Sequence, residues 1–327
     1  MKRETKLLVI ILCSLVVLIL CPFLGSMGAT LDLSDPTKYH IWSSIRVPRV
    51  LFGFIVGGGL ALGGLVFQAL FANLLASPFT LGVASGAAFG TALYYNLALP
   101  VAFLGVSAAC VSGMAGALLA TLPVFFASRF IKRPGSTEIL LSGVVLSLFF
   151  SSLIVFIQCI SDFTGVVKIT RWLMGSFEVV GYSSVKGVAA IVSLALAFVF
   201  LRFRELDLFI LGEELALSRG LDVKRTRSTL FLVTSLMVGG IVSFCGPVSS
   251  VGVISPHIAR FLVGVNHKLL IPAAFFMGGG FVVLCDTVGR TIIAPYEIPV
   301  GVITALIEGP FFLWLLYGRR GLKVFSV

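Results

Sequence analysis

Apolar residues in this chain neither alternate with polar ones nor recur as one stripe; they fill whole segments. Leu7 to Leu20 and Val188 to Leu201 are almost entirely apolar. A strand of a membrane barrel switches between apolar and polar faces at every residue. Continuous apolar segments predict helices that cross a bilayer, where each backbone N–H and C=O is satisfied inside the helix. The segments fall at 7–27, 50–71, 79–97, 102–127, 138–159, 184–201, 228–246, 250–264, 270–287 and 299–317. The eighth is short for a full crossing, so a tilted span or one surrounded by protein is expected there. The fold class is therefore an all-α polytopic membrane protein, one domain over 1–327 with about ten transmembrane helices.

One long stretch breaks this pattern. Residues 202–227 read RFRELDLFILGEELALSRGLDVKRTR, which is charged, helix-prone and amphipathic. Leu211 to Ala216 opens a short helix, Gly220 breaks it, and Val223 to Arg227 leads into the next span. A helix lying on lipid favours bases over acids, because the surface is anionic. Asp207, Glu213, Glu214 and Asp222 argue against that reading and for a surface that meets a soluble partner.

Composition agrees with the pattern. Only 12% of residues are charged, against about 25% in soluble domains, too few to coat a water-soluble globule. The net charge of +10 carries no nucleic-acid motif with it; in a membrane protein it reflects bases gathered in cytoplasmic loops. With both termini in the cytoplasm, the outer side keeps Lys38, Arg46, Arg49, Lys168, Arg171, Lys186 and Arg290, and the other Lys and Arg residues lie inside. An odd number of spans would put Arg319, Arg320 and Lys323 outside. The basic start and apolar run at 1–27 lack a small-residue cleavage site and read as an uncleaved first span. The six scattered cysteines read as small buried hydrophobes. Glycine rows at four-residue spacing (Gly53, Gly57 and Ala61; Gly59 and Gly63; Gly82, Gly86 and Gly90) predict close helix packing.

Four local patterns carry candidate chemistry. Arg46-Val47-Pro48-Arg49 holds two fixed positive charges, either snorkelling to the interface or docking an acidic partner. Gln68 to Pro78 is a tight connection without charge, suited to a constriction packed within protein. The 202–227 segment is the third. The fourth runs from Gly246 to Lys268, then Asp286 to Arg290, then Glu297 to Gly301. There His257 reads as a hydrogen-bonded structural residue rather than a proton carrier. Asp286 and Arg290, four apart, are placed to pair on one helix face. The spans are otherwise nearly free of ionisable groups, which argues against a carrier driven by an ion gradient. No GxxxxGK[ST] phosphate loop is present, so ATP hydrolysis requires a separate subunit. No cofactor, metal or catalytic residue is expected.

Read in order, RxPR at 46–49, Asn73 to Pro78 with LGVASG at 81–86, WLMGS at 172–176, LGEELA at 211–216, PHIAR at 256–260, Asp286 with Arg290, and ExPxG at 297–301 resemble one family. It is the permease subunits of ABC importers for iron-siderophore, haem and cobalamin, and the resemblance runs from Ile45 to Arg320. It implies the type II importer permease fold in a bacterial or archaeal cytoplasmic membrane. It also implies a homodimer whose interface is the translocation path, two ATP-binding cassette subunits at the cytoplasmic side, and a substrate-binding protein outside. Arg46, Arg49 and Arg290 are then the docking arginines for carboxylates of the binding protein. Leu211, Gly212, Glu213, Glu214, Ala216, Arg219 and Gly220 are then the coupling residues that meet the ATPase. Asn73 and Leu75 belong to an inner gate, and Ser161 and Asp162 lie near a second constriction. The implied cargo is an iron chelate, siderophore or haem, with cobalamin as the alternative. Three positions depart from the family pattern: Leu74 replaces a proline, Ser250 an aromatic residue, and Arg219 a leucine.

Overall fold

The computed structural model describes residues 2–25, 35–97, 108–130 and 136–317, and every regular element among them is helical. In chain order these are α1 (Arg3–Leu20), α2 (Pro36–Ile41), α3 (Val47–Leu70), α4 (Val83–Leu97), α5 (Ala108–Phe130), α6 (Ser136–Ile160) and α7 (Phe163–Leu173). There follow α8 (Ser183–Leu201), α9 (Phe203–Ile210), α10 (Glu213–Ser218), α11 (Val223–Cys245), α12 (Val251–Val263), α13 (His267–Thr291) and α14 (Val300–Tyr317). Each expected span finds its helix in α1, α3, α4, α5, α6, α8, α11, α12, α13 or α14. Among the described residues, seven helical stretches are long and apolar enough to cross a membrane, and α4, α12 and α14 pack with them. Residues 102–107 of the fourth span, 26–27 of the first, and the basic residues Lys132, Arg133, Arg319, Arg320 and Lys323 lie outside the described residues.

Polar caps move two span edges outward from where hydropathy put them. Asp222 accepts a hydrogen bond from the Arg225 N–H, so α11 starts at Val223 rather than 228. Asn266 caps α13 by accepting from the Lys268 N–H. Each cap satisfies an N–H that the first turn leaves without a partner.

Helix α3 is the centre of the bundle, buried without interruption from Val56 to Leu70. A helix enclosed on every side needs small residues wherever a neighbour's backbone crosses it. A side chain on Gly57 would meet the Gly278 carbonyl and Val282 of α13, and one on Gly64 would meet Gly252 of α12. Gly86 and Gly90 of α4 face Gly116 and Ser112 of α5 in the same way. The row of Gly53, Gly57 and Ala61 is thus a contact line between α3 and α13, Gly59 and Gly63 face α11, and Gly86 and Gly90 meet α5. Gly57→Val is expected to destabilise the fold by about 3 kcal/mol or more, since backbone cannot retreat as a side chain can. An unchanged melting temperature in detergent would contradict this packing.

The eighth span is enclosed by protein, as its length suggested. Helix α12 has 13 residues, a rise of about 20 Å against a hydrocarbon core of about 30 Å. Between α11 and α12 the chain unwinds, with φ +74° at Gly246 and +67° at Ser250. Non-helical backbone at membrane depth survives only where protein or a water-filled cavity surrounds it. Here the Ser176 N–H donates to the Cys245 carbonyl, and the Ser250 hydroxyl to the Thr304 carbonyl of α14. An aromatic ring at 250 could not make that bond. The cysteine expectation holds for Cys21, Cys110, Cys245 and Cys285 and fails for Cys13 and Cys159, which are exposed. They sit on outward faces of α1 and α6, where lipid is as apolar as a core.

Candidate functional site

The three candidate docking arginines converge at one end of the bundle, where α3 begins and α13 ends. Arg46, Arg49 and Arg290 border one cavity of about 140 Å³ together with Glu297. The Arg49 guanidinium grips Asp286, with Nε 3.1 Å from Oδ1 and Nη2 2.9 Å from it, while Nη1 donates to Glu297 Oε2 at 2.8 Å. Arg290 Nε lies 3.0 Å from the other Asp286 oxygen, and its Nη2 donates to the Thr287 hydroxyl at 3.3 Å. The pairing of Asp286 with Arg290 along one helix face is as the spacing implied. The bonds from Arg49 across to α13 and to Glu297 are long-range, and no local pattern announces them. Two of the three arginines therefore already hold acids of their own chain. Arg46 lies against Gly25 and has no carboxylate partner among the described residues.

A larger cavity of about 480 Å³ opens beside this cluster, lined by Arg49, Tyr95, Lys168, Arg171, Trp172 and Glu297 among others. Helix α7 shapes one wall. Asp162 caps it, accepting from the Gly165 N–H at 3.0 Å and from the Thr164 hydroxyl. The bond from Thr164 holds the Asp162 carboxyl below its usual range. Ile169 is buried beneath α7, while Lys168 and Arg171 stay exposed. Asp162 was expected at a constriction and Lys168 and Arg171 only as outer-side bases; the helix that carries them was not expected. The signal was there: 163–173 is amphipathic, but it sits between two spans and reads as loop.

At the opposite end, the 202–227 segment folds as α9 and α10. Gly212 at φ +105° and Gly220 at φ +80° make the two turns, conformations that a side chain disfavours. The segment is fastened at two points. Arg227 of α11, 4% exposed, donates to Glu213 at 3.2 Å and lies over the Phe209 ring. Asp207 of α9 accepts from the backbone N–H of His267 at 2.9 Å and pairs with its Nδ1 at 2.7 Å, on the first residue of α13. Burial raises the Asp207 carboxyl, but its bonds to His267 outweigh that and leave it below the usual range. The clamp therefore stays in place at neutral pH and weakens only as acid titrates Asp207 through its folded value. Of the seven candidate coupling residues, Ala216 is buried and Glu213 is tied to Arg227. Leu211, Glu214, Arg219 and Gly220 are exposed, beside exposed Leu215 and Leu217.

The four gate candidates separate into two places. Asn73 accepts from the Leu75 N–H at 2.9 Å in the turn after α3. Both are exposed, whereas Ala76, Ser77 and Pro78 are buried, so only the second half of this connection is packed within protein. Buried Gln68 anchors the turn, donating to the Gly252 carbonyl at 3.2 Å and accepting from Arg260 at 3.0 Å. The Ser161 hydroxyl bonds to Asn96 at 2.8 Å, near the far end of α4. One chain therefore brings Asn73 and Leu75 together, and Ser161 and Asp162 together, at opposite ends of α4.

A buried helical bundle with an exposed handle at one end and a charged cavity at the other defines a polytopic membrane transport subunit. Residues 6–318 match the model of the FecCD transport family, and the chain belongs to that family. Its relatives are named as transport permeases, and it is such a permease rather than an enzyme. It is 32% identical over 290 residues to the hemin transport system permease HmuU of Yersinia pestis, covering 88% of this chain and 86% of that one. It is 36% identical over 294 residues to the cobalamin import permease BtuC of Halobacterium salinarum, covering 90% and 78%. A solved chain described as a metal-chelate type ABC transporter in an inward-facing conformation superposes with TM-score 0.85 at 29% identity, covering 97% of this chain and all of that one.

Proposed function

We propose that this chain is the membrane-spanning permease of an ATP-driven importer for an iron chelate, siderophore or haem. Two copies line the path, two ATPase subunits grip the 202–227 end in the cytoplasm, and a binding protein docks outside on Arg46, Arg49 and Arg290. Both termini face the cytoplasm. The observation that carries the reading is the handle: α9 and α10 expose Leu211, Glu214 and Leu215 while Arg227 and His267 fasten them to α11 and α13. A segment that merely covered a loop would need no such bolts. ATP closes the ATPase pair, the handle moves, and the constrictions at the two ends open in turn. Cobalamin remains the alternative cargo, given the likeness to cobalamin permeases.

Co-reconstitution with the ATPase and binding protein in proteoliposomes tests this. ATP-dependent uptake of a ferric chelate is expected; uptake by this chain alone, driven by an ion gradient, would replace the reading with a secondary carrier. The docking assignment has its own test. Arg46→Glu is expected to weaken stimulation by the binding protein about tenfold, more steeply at low salt, where exposed charges are less screened. A salt-independent loss would point to misfolding instead.

A further inference from the structure

Glu308 is the ninth of the 18 residues of α14, which places its carboxyl near the middle of that span. Leu306 and Ile307 before it are exposed to the surroundings of the helix. Among the described residues it has no cationic partner; its polar neighbour is the Ser249 hydroxyl, in hydrogen-bonding reach. Both border a small cavity of about 40 Å³, closed by Ser77, Pro78 and Phe79 on one side and by Val248 and Ser250 on the other. That cavity joins the turn after α3, which carries Asn73 and Leu75, to the unwound stretch before α12. Thr304, one turn earlier on α14, holds Ser250 in place through its carbonyl at 2.9 Å.

An acid without a cationic partner at this depth is costly against lipid. It is tolerated where its free oxygen meets water, and in a transport bundle that means the path. We propose that Glu308, oriented by Ser249, is an electrostatic filter on the translocation path that disfavours polyanionic chelates and passes neutral or cationic ones. The inference rests on the import reading above, and in a homodimer the filter is doubled. Like charges brought together in a poorly solvated passage repel strongly enough to discriminate between cargoes of the same shape.

The test uses the complete transporter with its binding protein. Two forms of one ferric trihydroxamate are supplied, the pendant amine either free and cationic or succinylated and anionic. The wild-type protein is expected to import the cationic form in preference. Glu308→Gln keeps the shape and the bond from Ser249 but removes the charge, and is expected to lower the cationic-to-anionic ratio about tenfold or more. Glu308→Asp should preserve the preference. An unchanged ratio in Glu308→Gln, with import intact, overturns the filter and leaves the import reading standing. Import of neither form by the wild-type protein, nor of haem or cobalamin in the same assay, overturns the import reading itself.

Discussion

Asp286→Ala is expected to destabilise the folded protein by about 3–5 kcal/mol. Asp286 is 4% exposed, accepts hydrogen bonds from Arg49 and forms an ion pair with Arg290. Removing it leaves two guanidinium groups crowded together, with Glu297 holding Arg49 alone. An isolated buried charge costs far more than the pair gained, because nothing replaces the water it gave up. Thermal unfolding in detergent, followed by size exclusion, reads the effect; a melting temperature within a degree or two of wild type would refute it. Asp286→Asn should fall between, since the amide still accepts a hydrogen bond but carries no charge.

Glu213→Ala and Glu214→Ala, one residue apart, are expected to differ sharply. Glu213 is the acceptor for buried Arg227, and its loss strands a guanidinium whose Nε already has no partner. About 1–3 kcal/mol of local stability should go with it. Backbone amides of α10 should then exchange faster with solvent, and ATP-driven transport should fall about tenfold or more. Glu214 is exposed, so its removal should leave exchange at wild-type rates and alter only contacts made with a partner. Equal exchange in both variants would mean that Arg227 does not fasten the handle.

The spans were legible because lipid imposes one demand that every residue of a span must meet, and composition records it. The handle was legible for the opposite reason, as the long stretch that could not meet that demand. The direct pairing of Asp286 with Arg290 was readable because helix spacing is local. The bond from Arg49 to the same carboxylate joins residues 237 apart and depends on how α3 crosses α13, which no window of sequence encodes. Likewise Glu213 and Glu214 look alike in sequence and differ only in which faces Arg227. Helix α7 was missed because 11 residues between two spans carry too little apolar length to stand out.

Helix α13 has a consequence beyond packing. It is 25 residues long, about 37 Å from end to end. Its first residue is clasped by Asp207, and its last turns carry Asp286 and Arg290. This one helix, with Pro272 near its start, connects the handle at one end of the bundle with the arginine cluster at the other. In the importer proposed above, arrival of a partner at the arginine cluster and the engine stroke at α9 would be felt through the same strut.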